Sequence, residues 1–142
     1  MVERKELQEK ILTYRILEAR LDSLLKQRDI LASKLVEIQT TLQSIDEIEK
    51  SKEEILVPIG SEAYTFGRIT DKKKLIVEIG ANVALEKTVE EGKEILNKRK
   101  AEMGNALNSI QKSILEISSN LEQLGPEIQE LAGELEKTSE AG

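Results

Sequence analysis

Neither cysteine nor histidine occurs in the sequence, and with them go most of the common routes to chemistry. Disulfides are impossible, no thiol nucleophile is available, and zinc sites and triad hydrolysis lack their usual parts. Tryptophan is also missing, and Tyr14, Tyr64 and Phe66 are the only aromatic residues. A chain of 142 residues is one domain's worth, but so few aromatics do not build an ordinary compact core. No uninterrupted apolar stretch approaches the ~20 residues that span a bilayer. The opening run Met1-Val2-Glu3-Arg4-Lys5-Glu6 is charged and leads into an amphipathic pattern, so a cytoplasmic protein without membrane contact is expected.

What is present is charge and aliphatic side chains. Charged residues make up 34% of the chain and the net charge is −6, a balance that disfavours nucleic acid as a partner. Lys72, Lys73 and Lys74 form a short basic run; following Thr70-Asp71, it reads as a solvated turn. The apolar fraction of 39% rests on Leu and Ile amid Glu, Lys, Gln and Ala, the make-up of long helices with a narrow apolar seam.

The seams can be traced residue by residue. Tyr14, Leu17, Leu21, Leu24, Leu31, Leu35, Ile38, Leu42 and Ile45 recur in steps of three and four, interrupted only by Arg28. Met103, Leu107, Ile110, Ile114, Ile117, Leu121, Leu124, Ile128, Leu131 and Leu135 repeat the alternation unbroken. A mean period of 3.5 predicts two supercoiled helices. Residues that face each other across an antiparallel hairpin keep a constant sum of residue numbers. A sum near 142 sets Ile45 against Leu96, Ile38 against Met103, Leu24 against Ile117, Tyr14 against Ile128, Ile11 against Leu131 and Leu7 against Leu135. Each arm is then roughly 50 residues, or about 75 Å, with both chain ends at one tip.

Between the seams the texture changes. Ile55-Leu56-Val57-Pro58-Ile59, Ala63 to Ile69, Leu75-Ile76-Val77-Glu78-Ile79 and Val83-Ala84-Leu85 read as four short strands in two successive β-hairpins. Pro58 cannot donate a ladder hydrogen bond, which places it at an edge or a bulge. Thr88 and Glu91 fit a capping box that starts the second helix. Ser51 and Glu54 share that spacing, but strand-like residues follow at once, so no helix is expected there. The reading is one domain over 1–142: a helix over 1–53, hairpins over 54–87, and a helix with tail over 88–142. The fold class is mainly α, a long antiparallel two-helix coiled coil with two hairpins at the helix junction. An isolated hairpin is marginal in water. The hairpins therefore need partner chains, against which Ile55, Val57 and Ile59 of the first and Leu75, Val77, Ile79, Val83 and Leu85 of the second are the candidate oligomerisation residues.

Ile55-Leu56-Val57-Pro58-Ile59-Gly60, Val77-Glu78-Ile79-Gly80-Ala81 and Val83-Ala84-Leu85-Glu86-Lys87, framed by the two helices, resemble the α subunit of the prefoldin family along essentially the whole chain. Two hairpins resemble the α type, since the β type has one. The resemblance implies a hetero-hexamer of two α and four β subunits, whose hairpins form an oligomeric β-barrel platform from which six coiled coils hang. It implies capture of unfolded polypeptides at the coil tips without ATP or another cofactor, and delivery to a group II chaperonin. Many α subunits continue with a further glycine-rich turn where this chain has Ser61-Glu62-Ala63.

For client binding the candidates lie at the predicted tip: Leu7, Ile11, Leu12, Ile16, Ile128, Leu131 and Leu135. Leu12 and Ile16 fall outside the seam; they either broaden it or offer apolar surface to a client. Pro126 removes a helical hydrogen bond to the Glu122 carbonyl, and because the apolar register survives from Leu124 to Ile128, a kinked or loosened helix is predicted rather than an end. That is either a tolerated kink or a source of adaptability. Arg28, facing Ile114, sets register or lifts its head group to water. Glu90, Glu91, Glu94, Glu134 and Glu136 read as solvated helix faces, and no constellation points to catalysis. The competing function is structural, a spacer or filament subunit whose β segments polymerise.

Overall fold

The structure, a computed structural model, describes residues 2–51 and 53–141. Met1, Lys52 and Gly142, which the sequence reading places within the helical arms and their junction, lie outside the described residues. The elements in chain order are α1 (Val2–Lys50), β1 (Ile55–Gly60), β2 (Ala63–Gly67), β3 (Lys74–Gly80), β4 (Val83–Thr88) and α2 (Val89–Ala141). Two long helices therefore enclose two small antiparallel hairpins, β1 with β2 and β3 with β4. Among the described residues no helix is long and apolar enough to cross a membrane.

Local chemistry accounts for where each helix begins and ends. α1 runs 49 residues without a glycine or proline, built mostly from strong helix formers. Ser51 closes it: its N–H donates to the Glu47 carbonyl at 2.9 Å and its hydroxyl to the Ile48 carbonyl at 3.0 Å. The Ser51–Glu54 spacing thus belongs to a helix end and starts nothing. At the head of α2 the Glu91 N–H donates to Thr88 Oγ1 at 3.1 Å, the N-cap predicted from sequence. Glu91's own carboxylate lies 4.0 Å from Lys87 Nζ, so the glutamate half of the capping box is drawn to a lysine. α2 continues through Pro126 to Ala141, as the surviving register requires.

Close contacts group the chain into two units, residues up to Ala32 with those from Asn105 onward, and Ser33 to Gly104. In the first, Lys10 Nζ reaches Glu127 Oε2 at 3.2 Å, and the Tyr14 ring lies 3.8 Å from where a Cβ on Gly125 would stand. In the second, Lys93 Nζ lies 2.9 Å from both Asp46 Oδ1 and Glu49 Oε1. All these cross-helix pairs sit close to the predicted register. Burial is shallow throughout. Ile38, Ile45, Val77, Val89 and Ile117 are the buried apolar residues, and no described side chain is fully buried. A two-helix seam covers each apolar stripe from one side only.

The two hairpins are local repeats twenty positions apart. Val57-Pro58-Ile59-Gly60 and Val77-Glu78-Ile79-Gly80 each reach a register shift, after Pro58 and Glu78, so Ile59 and Ile79 occupy equivalent bulges. Gly60 and Gly80 follow with φ of 114° and 118°, a region side-chain-bearing residues avoid. Both turns then carry two non-glycine residues at positive φ, Ser61 (48°) with Glu62 (64°) and Ala81 (50°) with Asn82 (61°), the sign pattern of a type I′ turn. Such a conformation costs about 1–2 kcal/mol at an ordinary residue. Replacing Ser61-Glu62 by Asn-Gly is therefore expected to stabilise the first hairpin by about 1 kcal/mol. Thermal melting of the assembled protein should show a rise, whereas an unchanged or lower melting temperature would rule out turn strain as the limiting term.

Candidate functional site

Most of the apolar surface that the helices leave uncovered lies in two regions, the hairpins and the end of the helix pair near Val2 and Leu135, while Ile30, Val36 and Leu115 stand exposed singly along the helices between them. The hairpins differ in how they are supported. In the second, alternation puts Leu75, Val77 and Leu85 on one face and Ile76, Glu78 and Glu86 on the other. The apolar face docks on α2. Leu75 packs so closely over Gly92 that a Cβ there would stand 2.7 Å from a Leu75 methyl carbon. Val77 is buried, the Val89 N–H donates to the Lys73 carbonyl at 3.0 Å, and the Arg99 guanidinium donates to the Glu78 carbonyl at 2.5 Å.

The first hairpin is apolar on both faces. Ile55 and Val57 share one; Leu56, Pro58, Tyr64 and Phe66 share the other, with Leu56 opposite Phe66 and Pro58 opposite Tyr64. Leu56 is 60% exposed and Phe66 74%. Of the candidate oligomerisation residues, Val77 is buried and Ile55 and Leu75 are half-buried, while Val57, Ile59, Ile79, Val83 and Leu85 stand exposed. Leu56, Tyr64 and Phe66 were missed. The available signal was two of the three aromatic residues standing two apart in a strand, which puts them on one face.

At the other region, Leu7, Ile11, Ile128, Leu131 and Leu135 are all half-buried, and Ile11, Tyr14 and Ile128 line one shallow groove beside Gly125. Leu12 and Ile16 are 59% and 58% exposed. The partner helix does not cover them, so they do not broaden the seam. Arg28 turns its guanidinium to Asp29 Oδ1, at 3.1–3.2 Å, with its side chain 39% exposed. It reaches for water and a carboxylate from a seam position, as a long amphipathic side chain can.

The Lys93 fork was also not foreseen, because it depends on where α2 starts and how its first turns face α1. Hydrogen bonds to the Asp46 and Glu49 carboxylates push the Lys93 ammonium up to about 12. The same hydrogen bond, together with the lysine's charge, holds Asp46 below its ordinary value.

A family model described as prefoldin subunit matches residues 17–134 of the chain. Among curated proteins, prefoldin subunit alpha of Pyrococcus horikoshii is 32% identical over 138 residues, covering 95% of this chain and 93% of its own length. Prefoldin subunit alpha of Methanosarcina acetivorans is 29% identical over 129 residues, covering 82% and 91%. Among solved structures, a cryo-EM structure of filamentous PFD from Methanocaldococcus jannaschii superposes with a TM-score of 0.69 at 20% identity, covering 84% of this chain and 98% of its own. At that identity the likeness concerns the fold alone.

The fork makes a pH prediction. Asp46 is depressed, so its contribution is present above the ordinary carboxylate value of 3.8 and is lost as pH falls through its lower folded value. Lys93 is raised, so its contribution is complete below 10.5 and is lost as pH rises through about 12. The stability difference between the wild type and Lys93→Met, measured by denaturant titration, should be flat between those limits and shrink beyond both. A difference that varies across neutral pH would contradict the assignment.

Proposed function

The chain belongs to the prefoldin family, and from that premise we propose that it is the α subunit of an ATP-independent holdase, which captures unfolded polypeptides at its coil ends and hands them to a group II chaperonin. The supporting observation is an unfinished surface: the first hairpin is apolar on both faces, and the exposed Leu12 and Ile16 stand by the half-covered seam of Leu7, Ile11, Ile128, Leu131 and Leu135. Neither is a pocket for a small substrate. One suits permanent partners and the other transient apolar ones.

The relatives' names describe subunits, and family members act as parts of oligomeric chaperone complexes. In this reading, hairpins of four β-type subunits and a second α subunit cover Leu56, Tyr64 and Phe66 together with the set from Ile55 to Leu85, forming a β-barrel platform. The coils project from it in the cytoplasm, and no cofactor, metal, nucleic acid or membrane takes part. The role is binding rather than catalysis. A second reading, a filament subunit, is favoured by one observation, the fold likeness to the filamentous PFD structure. It predicts open-ended homopolymers in place of closed particles.

Truncation tests capture directly. A complex assembled from chains lacking residues 1–12 and 127–142 should keep its assembly state and lose most of its ability to suppress aggregation of a denatured protein. Undiminished suppression would show that the coil ends are not the capture site.

A further inference from the structure

The two helical segments that meet beyond Tyr14 and Gly125 are unequally built. On α1 the stretch from Val2 to Ile16 contains no glycine or proline, and Glu6 lies 3.7 Å from Lys10 at the favourable i,i+4 spacing. On α2, Pro126 has no N–H to give the Glu122 carbonyl. Gly125 just before the segment and Gly133 within it are poor helix formers, and nothing packs where a Cβ on Gly133 would lie. Glu127, Glu130 and Glu134 follow at three- and four-residue spacing, a like-charge series that opposes the helix. The polar tie across the helices here, Lys10 to Glu127, is partly exposed, at 29% and 53% of the two side chains, and sits at the base of the segment, where such a pair holds little. Among the described residues beyond Pro126, the large apolar side chains that hold the α2 segment are Ile128, Leu131 and Leu135, all half-buried.

We propose that this end of the coil opens asymmetrically: α2 beyond Pro126 melts while α1 stays helical, and an amphipathic helical segment of a non-native protein takes its place on Leu7, Ile11 and Tyr14. The step rests on the holdase reading above and names the substrate class for it. The vacated α1 face is an apolar stripe at steps of three and four. It therefore selects segments whose apolar residues recur as Ile128, Leu131 and Leu135 do, and fits extended or uniformly polar chain poorly. Pro126 sets the open fraction, and apparent affinity scales with that fraction.

Hydrogen exchange on the assembled complex, together with capture of guanidinium-denatured lysozyme, tests both halves. In the wild type, amides of 127–139 should exchange at least about tenfold faster than those of 6–13, the first amides of α1 with a helical acceptor. Pro126→Ala, which restores the missing bond, should raise protection of 127–139 on the order of 100-fold, the equivalent of about 3 kcal/mol, and weaken lysozyme capture by at least about tenfold. Gly125→Ala adds a Cβ at ordinary contact distance from Tyr14 and should act in the same direction by about fivefold. Equal protection of the two segments in the wild type overturns the proposal, as does a Pro126→Ala complex that gains protection but captures lysozyme undiminished. A wild-type complex that fails to capture lysozyme at all overturns the holdase reading and the substrate class with it, while the exchange asymmetry still decides whether the tip opens.

Discussion

A two-helix coil has only one partner for each apolar stripe, and everything else in this structure follows from that constraint. With α1 and α2 as the sole packing layers, seam residues such as Leu21, Leu35, Ile110 and Leu121 stay half-buried, and no described side chain is fully enclosed. A third or fourth helix would close such a core. Here the open sides remain, and in the function proposed for the chain its apolar surface is either finished by other subunits or left available to transient partners.

The hairpins show the first outcome half-complete. Leu75 over Gly92, buried Val77 and the Arg99 bond to the Glu78 carbonyl anchor the second hairpin to α2. The first repeats its bulge and turn but presents Leu56, Tyr64 and Phe66 outward. One repeat is seated on its own chain; the other offers both faces. In that proposal the coil end is the second outcome, and among the described residues nothing covers Leu12 and Ile16.

Much of the fold was legible because periodicity is a strong signal over long segments. The 4-3 alternation located both helices, and a constant residue-number sum set them in a register that Lys93 with Glu49 and Tyr14 with Gly125 respect. Thr88 and Pro58 marked a helix start and a bulged strand through chemistry local to each. The rest depended on three dimensions. Lys93 stands opposite Glu49 in that register, but its second bond, to Asp46, depends on how the side chains turn across the seam, which no spacing along the chain encodes. Leu56, Tyr64 and Phe66 lie outside the candidate oligomerisation set, which holds alternate residues of the strands, and in the first hairpin the other face is apolar as well. At the coil end the half-burial of Leu7, Ile11, Ile128, Leu131 and Leu135 shows that apolar pattern places a seam without saying how firmly it is closed.

The central claim is that the exposed hairpin surface is completed by other subunits in a closed assembly. Native mass spectrometry of the chain alone and mixed with a β-type prefoldin subunit tests it most directly. The account predicts a single closed hetero-oligomer of defined mass, formed only in the mixture and reduced by Phe66→Ser. A chain that remains a stable monomer in the mixture, or one that forms open-ended homopolymers regardless of the partner, would contradict it.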